Sequence, residues 1–172
     1  MKRSAVCCIL FVVLCSAPPV SAAFIDNGDG TITDTATGLM WQQATAPGTY
    51  TWQPALDYCA NLELGPYSDW RLPDKNELQS LVDYSRVDPS INTTYFPDTL
   101  ASNYWSSTTN ASYTEGAWSV TFGFGGVYGG NKAGGLYVRA VRSGQYVLLG
   151  DLGDLCIEDY HCDAGEVCEA GQ

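Results

Sequence analysis

Residues 51–84 read TWQPALDYCANLELGPYSDWRLPDKNELQSLVDY. Trp52, Ala55, Leu56, Cys59 and Leu62 fall at i, i+3, i+4, i+7 and i+10, which is the spacing of one apolar helical stripe. Thr51 stands at the N-cap position, and Pro54 lies in the first turn, where its missing N–H is tolerated. The spacing predicts a second helix over 73–84. Asp74 is placed to cap it, and Glu77 three residues later completes a capping-box pattern. Leu78, Leu81 and Val82 supply its buried face.

Outward from these helices the periodicity changes. Upstream, FIDNGDGTITDTATGLMWQQ (24–43) predicts short strands at Thr31–Thr33 and Leu39–Gln42, joined by a hairpin loop over 34–38. Downstream of Tyr104 the pattern becomes period two. Trp118, Val120 and Phe122 alternate with Ala117, Ser119 and Thr121, and Leu136, Val138 and Ala140 alternate with Tyr137, Arg139 and Val141. Both runs read as half-buried antiparallel strands. GFGGVYGGNKAGG (123–135) between them reads as a long loop. It lacks the spacing of a phosphate cradle, and no helix follows it. Hairpin, two helices and then strands make an α+β fold, with two helices packed on a small antiparallel sheet and long loops. Trp41, Trp52, Trp70, Trp105 and Trp118 are expected in its core, since Trp buries so much area.

The chain has 172 residues, seven cysteines and a formal net charge of −11. Aromatics make up 12% and charged residues only 16%, which excludes a disordered or coiled-coil protein. The acidic balance excludes a nucleic-acid partner, which would need a basic face. Residues 1–22 read as a secretory signal: Lys2 and Arg3, an apolar run from Ala5 to Leu14, then a small-residue cleavage site around Val20–Ala23. The run is shorter than the roughly 20 residues a membrane span needs, and no other stretch reads as transmembrane. Processing there leaves six bases against 19 acids, a net −13, and four cysteines. The expected location is secreted, extracellular or periplasmic, in association with a cell envelope. Export makes disulfides feasible, with Cys59, Cys156, Cys162 and Cys168 as the candidates. Composition shifts near Gly144–Gly150, so a domain is expected over 24–146 and a separate acidic, Cys-rich segment over 150–172. The three tail cysteines are spaced C-x5-C-x5-C, as in small extracellular repeats. Their odd number leaves two readings. One of them pairs with Cys59, or the chain stops inside a module that would continue.

Six motifs stand in order: DNGDGTITDTATGLMWQ (26–42), TWQPALDYCANL (51–62), DWRLPDKNELQSLVD (69–83), YWSST (104–108), AWSVTF (117–122) and YVRAVRSG (137–144). In that order and spacing they resemble the Lcl C-terminal domain family, over about 120 residues. The family looks like a branch of the C-type-lectin-like superfamily, which also holds the formylglycine-generating sulfatase-modifying factors. The resemblance implies a C-type-lectin-like fold and extracellular ligand binding, adhesion or surface display. Some members bind sulfated polysaccharides and form trimers, so an oligomer is within what the resemblance implies. Here 12 acids outnumber six bases in the domain, which does not make the basic groove a sulfated chain needs. Family members often carry a cysteine in the stretch matching Tyr137–Arg142, where this chain has Ala140.

The candidate chemistry is sparse. Asp26, Asp29 and Asp34 crowd a short loop of the kind Ca²⁺ takes, although the spacing is not an EF-hand and also suits turn geometry. Tyr104, Tyr113, Tyr128 and Tyr137 are candidates for stacking on a sugar face. The domain holds one cysteine, Cys59, on an apolar stripe, and the only histidine, His161, lies in the tail. Neither oxygenase chemistry nor a Ser-His-Asp triad is supported. The expectation is a secreted or surface-exposed, non-enzymatic binding or adhesion module, without a cofactor, recognising a polysaccharide or a protein. The alternative is a structural or assembly component of an envelope complex, and the third reading is a formylglycine-generating-like enzyme. Mass mapping under non-reducing conditions is expected to find a disulfide involving at least one of Cys156, Cys162 and Cys168; free thiols at all three would contradict the extracellular reading.

Overall fold

A computed structural model describes residues 24–144. The expected signal segment over 1–22 and the tail over 150–172, with Cys156, Cys162 and Cys168, lie outside the described residues. The chain forms β1 (Phe24–Asp26), β2 (Thr31–Asp34), β3 (Leu39–Gln42), α1 (Trp52–Ala60), α2 (Lys75–Ser80), β4 (Asn103–Thr109), β5 (Gly116–Thr121), β6 (Val127–Asn131) and β7 (Val141–Ser143). The α+β class holds, but the single expected sheet is two. β1-β2-β3-β7 make one antiparallel sheet and β4-β5-β6 the other.

The helices form where the local signals place them, and both pack against the second sheet. The Asp74 carboxylate accepts from the N–H groups of Asn76 and Glu77, and Glu77 accepts from the Asp74 N–H, so the capping box is complete. Thr51 holds the N-cap backbone conformation of α1 but makes no side-chain cap hydrogen bond. The second helix is shorter than the 73–84 expected. Leu81 N–H donates to Leu78 O and Val82 N–H to Gln79 O, which tightens the last turn. Asp83 N–H then donates to Ser90 O, carrying the chain away from the helix axis.

The DWRLP motif (69–73) ties these pieces together. Asp69 accepts two hydrogen bonds from Arg142 on β7, at 2.6 and 3.1 Å. Trp70 and Leu72 enter the core. Arg71 forks onto both oxygens of Glu77 at 2.7 and 2.6 Å, so it also braces the capping box.

Two core clusters share the strands. Ile32, Trp41, Leu78, Leu81, Ile91, Phe96, Tyr104, Val120, Phe122 and Val141 form one. Met40, Ala55, Cys59, Trp70, Leu72, Trp105, Ala117, Val138 and Ala140 belong to the other. Successive residues of one strand point to opposite faces. Met40 and Trp41 of β3 therefore enter different clusters, as do Tyr104 and Trp105 of β4. Strands buried on both faces cannot show a clean alternation of apolar and polar residues. This is why Ala117, Ser119 and Thr121, expected outside, are buried, while Trp118 is only half-buried. Trp52 is also half-buried, with its Nε1 donating to Ser106 O at 2.9 Å.

Two further expectations are corrected. β6 lies inside the glycine-rich segment read as a loop. A side chain on Gly130 would start 3.0 Å from Trp105 Cη2, so glycine lets this strand pass under the indole without displacing it. The strand expected over 136–141 is instead a pair of isolated bridges, Tyr50–Leu136 and Tyr104–Tyr137, followed by β7.

Arg139, read as solvent-facing, is fully buried. Its guanidinium donates to the carbonyls of Gln42 and Gln43, to Thr99 Oγ1 at 2.8 Å and to Thr45 Oγ1 at 3.1 Å. It also lies 4.7 Å from the Phe96 ring centre and 3.5 Å from the Asp98 carboxylate. Burial pushes its pKa below the ordinary arginine value. Arg139→Met keeps the length but removes every one of these donors, leaving buried acceptors unpaired. The expected loss is about 3 kcal/mol or more of unfolding free energy. Urea denaturation checks it, and an unshifted midpoint would contradict the assignment.

Candidate functional site

A cleft of about 620 Å³ opens between the β2–β3 turn, the chain leaving α2, and residues 92–95. That volume lies within the roughly 300–1,000 Å³ of small-molecule sites. Phe24, Tyr84 and Tyr95 wall it with rings, and Asp34, Asp83 and Asn92 line it with polar groups. Local folding puts each of them there. Asp34 ends β2 and turns its carboxylate back on its own loop, accepting from the N–H groups of Ala36 and Thr37 and from Thr37 Oγ1. Asp83 accepts from the N–H and hydroxyl of Ser85 and from Arg86 Nε at 2.9 Å. The Ser85 hydrogen bonds, with Arg86 beside them, hold the Asp83 carboxyl below its ordinary pKa. Asn92 Oδ1 accepts from the Thr94 N–H. Its Nδ2 and the Tyr95 hydroxyl make no hydrogen bond among the described residues.

The rings are positioned by packing. Phe24 sits edge-on to Phe96 at 5.4 Å between ring centres and 5.5 Å from Tyr95. Tyr84 stays 69% exposed and accepts from Gln79 Nε2 at 3.1 Å. It leans on Gly125, where a Cβ would come within 3.0 Å of its ring and 2.4 Å of Val82. Gly125 also has φ +81°, so the turn admits no other residue easily. One residue on, Gly126 lies equally close beneath Phe124 and Tyr128. Those two rings meet edge to face at 6.2 Å and are 60% and 48% exposed. The β5–β6 turn that carries this aromatic shelf therefore stands beside Tyr84, outside the residues that line the cleft.

The structure distributes the predicted site residues unevenly. Tyr128 joins the shelf. Tyr113 is exposed but sits beyond the other end of β6, where its hydroxyl accepts from Asn131 Nδ2 at 2.9 Å. Tyr137 is half-buried against Tyr104, with ring centres 5.6 Å apart, and Tyr104 is fully buried. The four tyrosines therefore form no common surface. Sequence reading missed Tyr84, Tyr95 and Phe124. A signal did exist for Phe124, because glycines on both sides give it nothing local to pack against.

The acidic loop is used for turns. Asp26 Oδ1 accepts from the Gly28 N–H and its Oδ2 from Gln43 Nε2, while Asp29 Oδ1 accepts from both the N–H and the hydroxyl of Thr31. With Asp34 turned on its own loop, the three carboxylates share no centre. Among the described residues no group of three or more His, Cys, Asp or Glu stands where it would hold a metal. Cys59 is fully buried, and desolvation pushes its thiol up to about 12. It packs in the same cluster as Ala140. Among the described residues no helix is long and apolar enough to cross a membrane. Millimolar Ca²⁺ is expected to leave the melting temperature unchanged, and a rise of several degrees would reveal a site in the Asp26–Asp34 loop.

Comparison with known proteins agrees with the motif order. No curated protein matches the chain. The family model of the Lcl C-terminal domain matches residues 30–142, which span β2 to β7 and include both helices. The chain belongs to the Lcl C-terminal domain family.

Proposed function

We propose that the domain is a non-enzymatic binding or adhesion module of a secreted or surface-exposed protein, and that its ligand seats in the cleft beside Tyr84. The observation that carries this reading is the wall of the cleft. Two tyrosine rings and a phenylalanine face a space of ligand size, together with a donor on Asn92 that no described protein group uses. Large exposed rings forgo the roughly 1.5–3 kcal/mol that burying such a side chain returns. Tyr84 forgoes it at the cleft, and Phe124 and Tyr128 forgo it on the turn packed against Tyr84, as at a binding surface. The chemistry of the domain supports binding over catalysis. Its one thiol is buried and held protonated, which makes Cys59 a poor nucleophile and argues against a formylglycine-generating type of reaction. The signal-like segment at the N-terminus supports placement outside the cytoplasm, at a cell envelope.

The test is a binding isotherm of the purified, fluorescently labelled chain on immobilised cell-envelope material and on host-cell surfaces. Saturable binding that unlabelled chain displaces is expected. Self-association in sedimentation, with no saturable binding to either surface, would overturn the reading in favour of an assembly component.

A further inference from the structure

We infer that the cleft takes an uncharged sugar chain, an inference that rests on the binding reading above and names its ligand class. A pyranose ring presents a C–H face and a rim of hydroxyls. The C–H face suits the rings of Phe24, Tyr84 and Tyr95. The hydroxyls are donors suited to the carboxylate of Asp83, and acceptors suited to Asn92 Nδ2 and the Tyr95 hydroxyl. Phe124 and Tyr128, on the turn whose Gly125 packs against Tyr84, offer the same ring chemistry just outside the cleft, where a chain longer than one sugar would run.

Charge selects the class. An anionic or sulfated chain needs cations that are free to pair with it. The arginines here are already engaged: Arg71 with Glu77, Arg86 with Asp83, Arg139 with Asp98 and the buried carbonyls, and Arg142 with Asp69. Lys132 donates to Thr109 and Thr114 and lies 4.1 Å from the centre of the Trp52 ring. Among the described basic side chains only Lys75 is in no ion pair, cation–ring contact or hydrogen bond, and Lys75 does not line the cleft. The cleft lining itself supplies no arginine or lysine, and the nearby Arg86 is spent on Asp83.

Affinity electrophoresis of the full chain tests this. The gels contain laminarin, galactomannan or arabinoxylan as neutral probes, and heparin or polygalacturonate as anionic ones. Retardation by at least one neutral polymer is expected, unchanged between low and high salt. Tyr84→Ala and Tyr95→Ala should each weaken it about tenfold or more, at an unchanged melting temperature for the exposed Tyr84. Tyr113→Ala, away from the cleft, should leave it intact. Retardation by no neutral polymer, by the anionic polymers alone with steep salt dependence, or undiminished in Tyr84→Ala would overturn the inference. Envelope binding that survives those results, or that protease treatment of the surface abolishes, keeps the binding reading and removes only the sugar class.

Discussion

A cation without water organises this domain. The Arg139 guanidinium is sealed inside the fold and holds together segments that are far apart in the chain: the end of β3 with the residues that follow it, and the turn at 96–99. A buried charge is costly unless most of its donors are satisfied. Here two backbone carbonyls and two threonine hydroxyls accept from it, a carboxylate stands beside it, and an aromatic ring covers it. The carbonyls of Gln42 and Gln43 are left over where β3 ends. The arginine satisfies them in a place no strand reaches, so the first sheet can stop and the chain can turn toward α1.

The same node shapes the proposed binding surface. Arg139 lies over Phe96, Phe96 meets the edge of Phe24, and Phe24 packs against Tyr95. A chain of ring contacts thus runs from the buried charge to one wall of the cleft. The opposite wall depends on α2, whose capping box and Arg71 brace fix where the chain departs toward Asp83 and Tyr84. Rigid walls matter for a shallow ligand, because a ring that is already placed loses little further freedom on binding. Placing the cations also has a consequence at the surface. Arginines committed to the architecture are withdrawn from recognition, which leaves the exterior acidic and aromatic.

What was legible in the sequence was what short-range physics decides. The 34–38 hairpin, α1 and the Asp74–Glu77 cap depend on residues within a few positions of one another, and all three are found. Arg71, in the third of the six motifs, braces the fold through Glu77. Long-range contacts decided the rest. Gly129 and Gly130 carry no strand preference, and β6 exists because β5 pairs with it and Trp105 covers it. Arg139 looked exposed because its acceptors lie 40 to 97 residues away, at Gln42, Gln43, Thr45 and Thr99. The tyrosines could be counted but not sorted, since Tyr104 sits on β4, covered on both faces, and Tyr128 on β6, the exposed edge of the second sheet. Tyr84 was read as the end of a helix; it reaches the surface because that helix stops at Ser80 and the chain swings out.

The cleft beside Tyr84 is the place where the ligand is proposed to sit. Backbone ¹H–¹⁵N shift mapping of the chain titrated with laminarihexaose, cellohexaose and xylohexaose addresses that place directly. Perturbations are expected to cluster on Phe24, Thr37, Asp83, Tyr84, Asn92 and Tyr95 and to spread to Phe124 and Tyr128, leaving α1 and the 110–115 turn still. Perturbations centred on Tyr113, Lys132 or α1, or none with any of the three sugars, would contradict this placement.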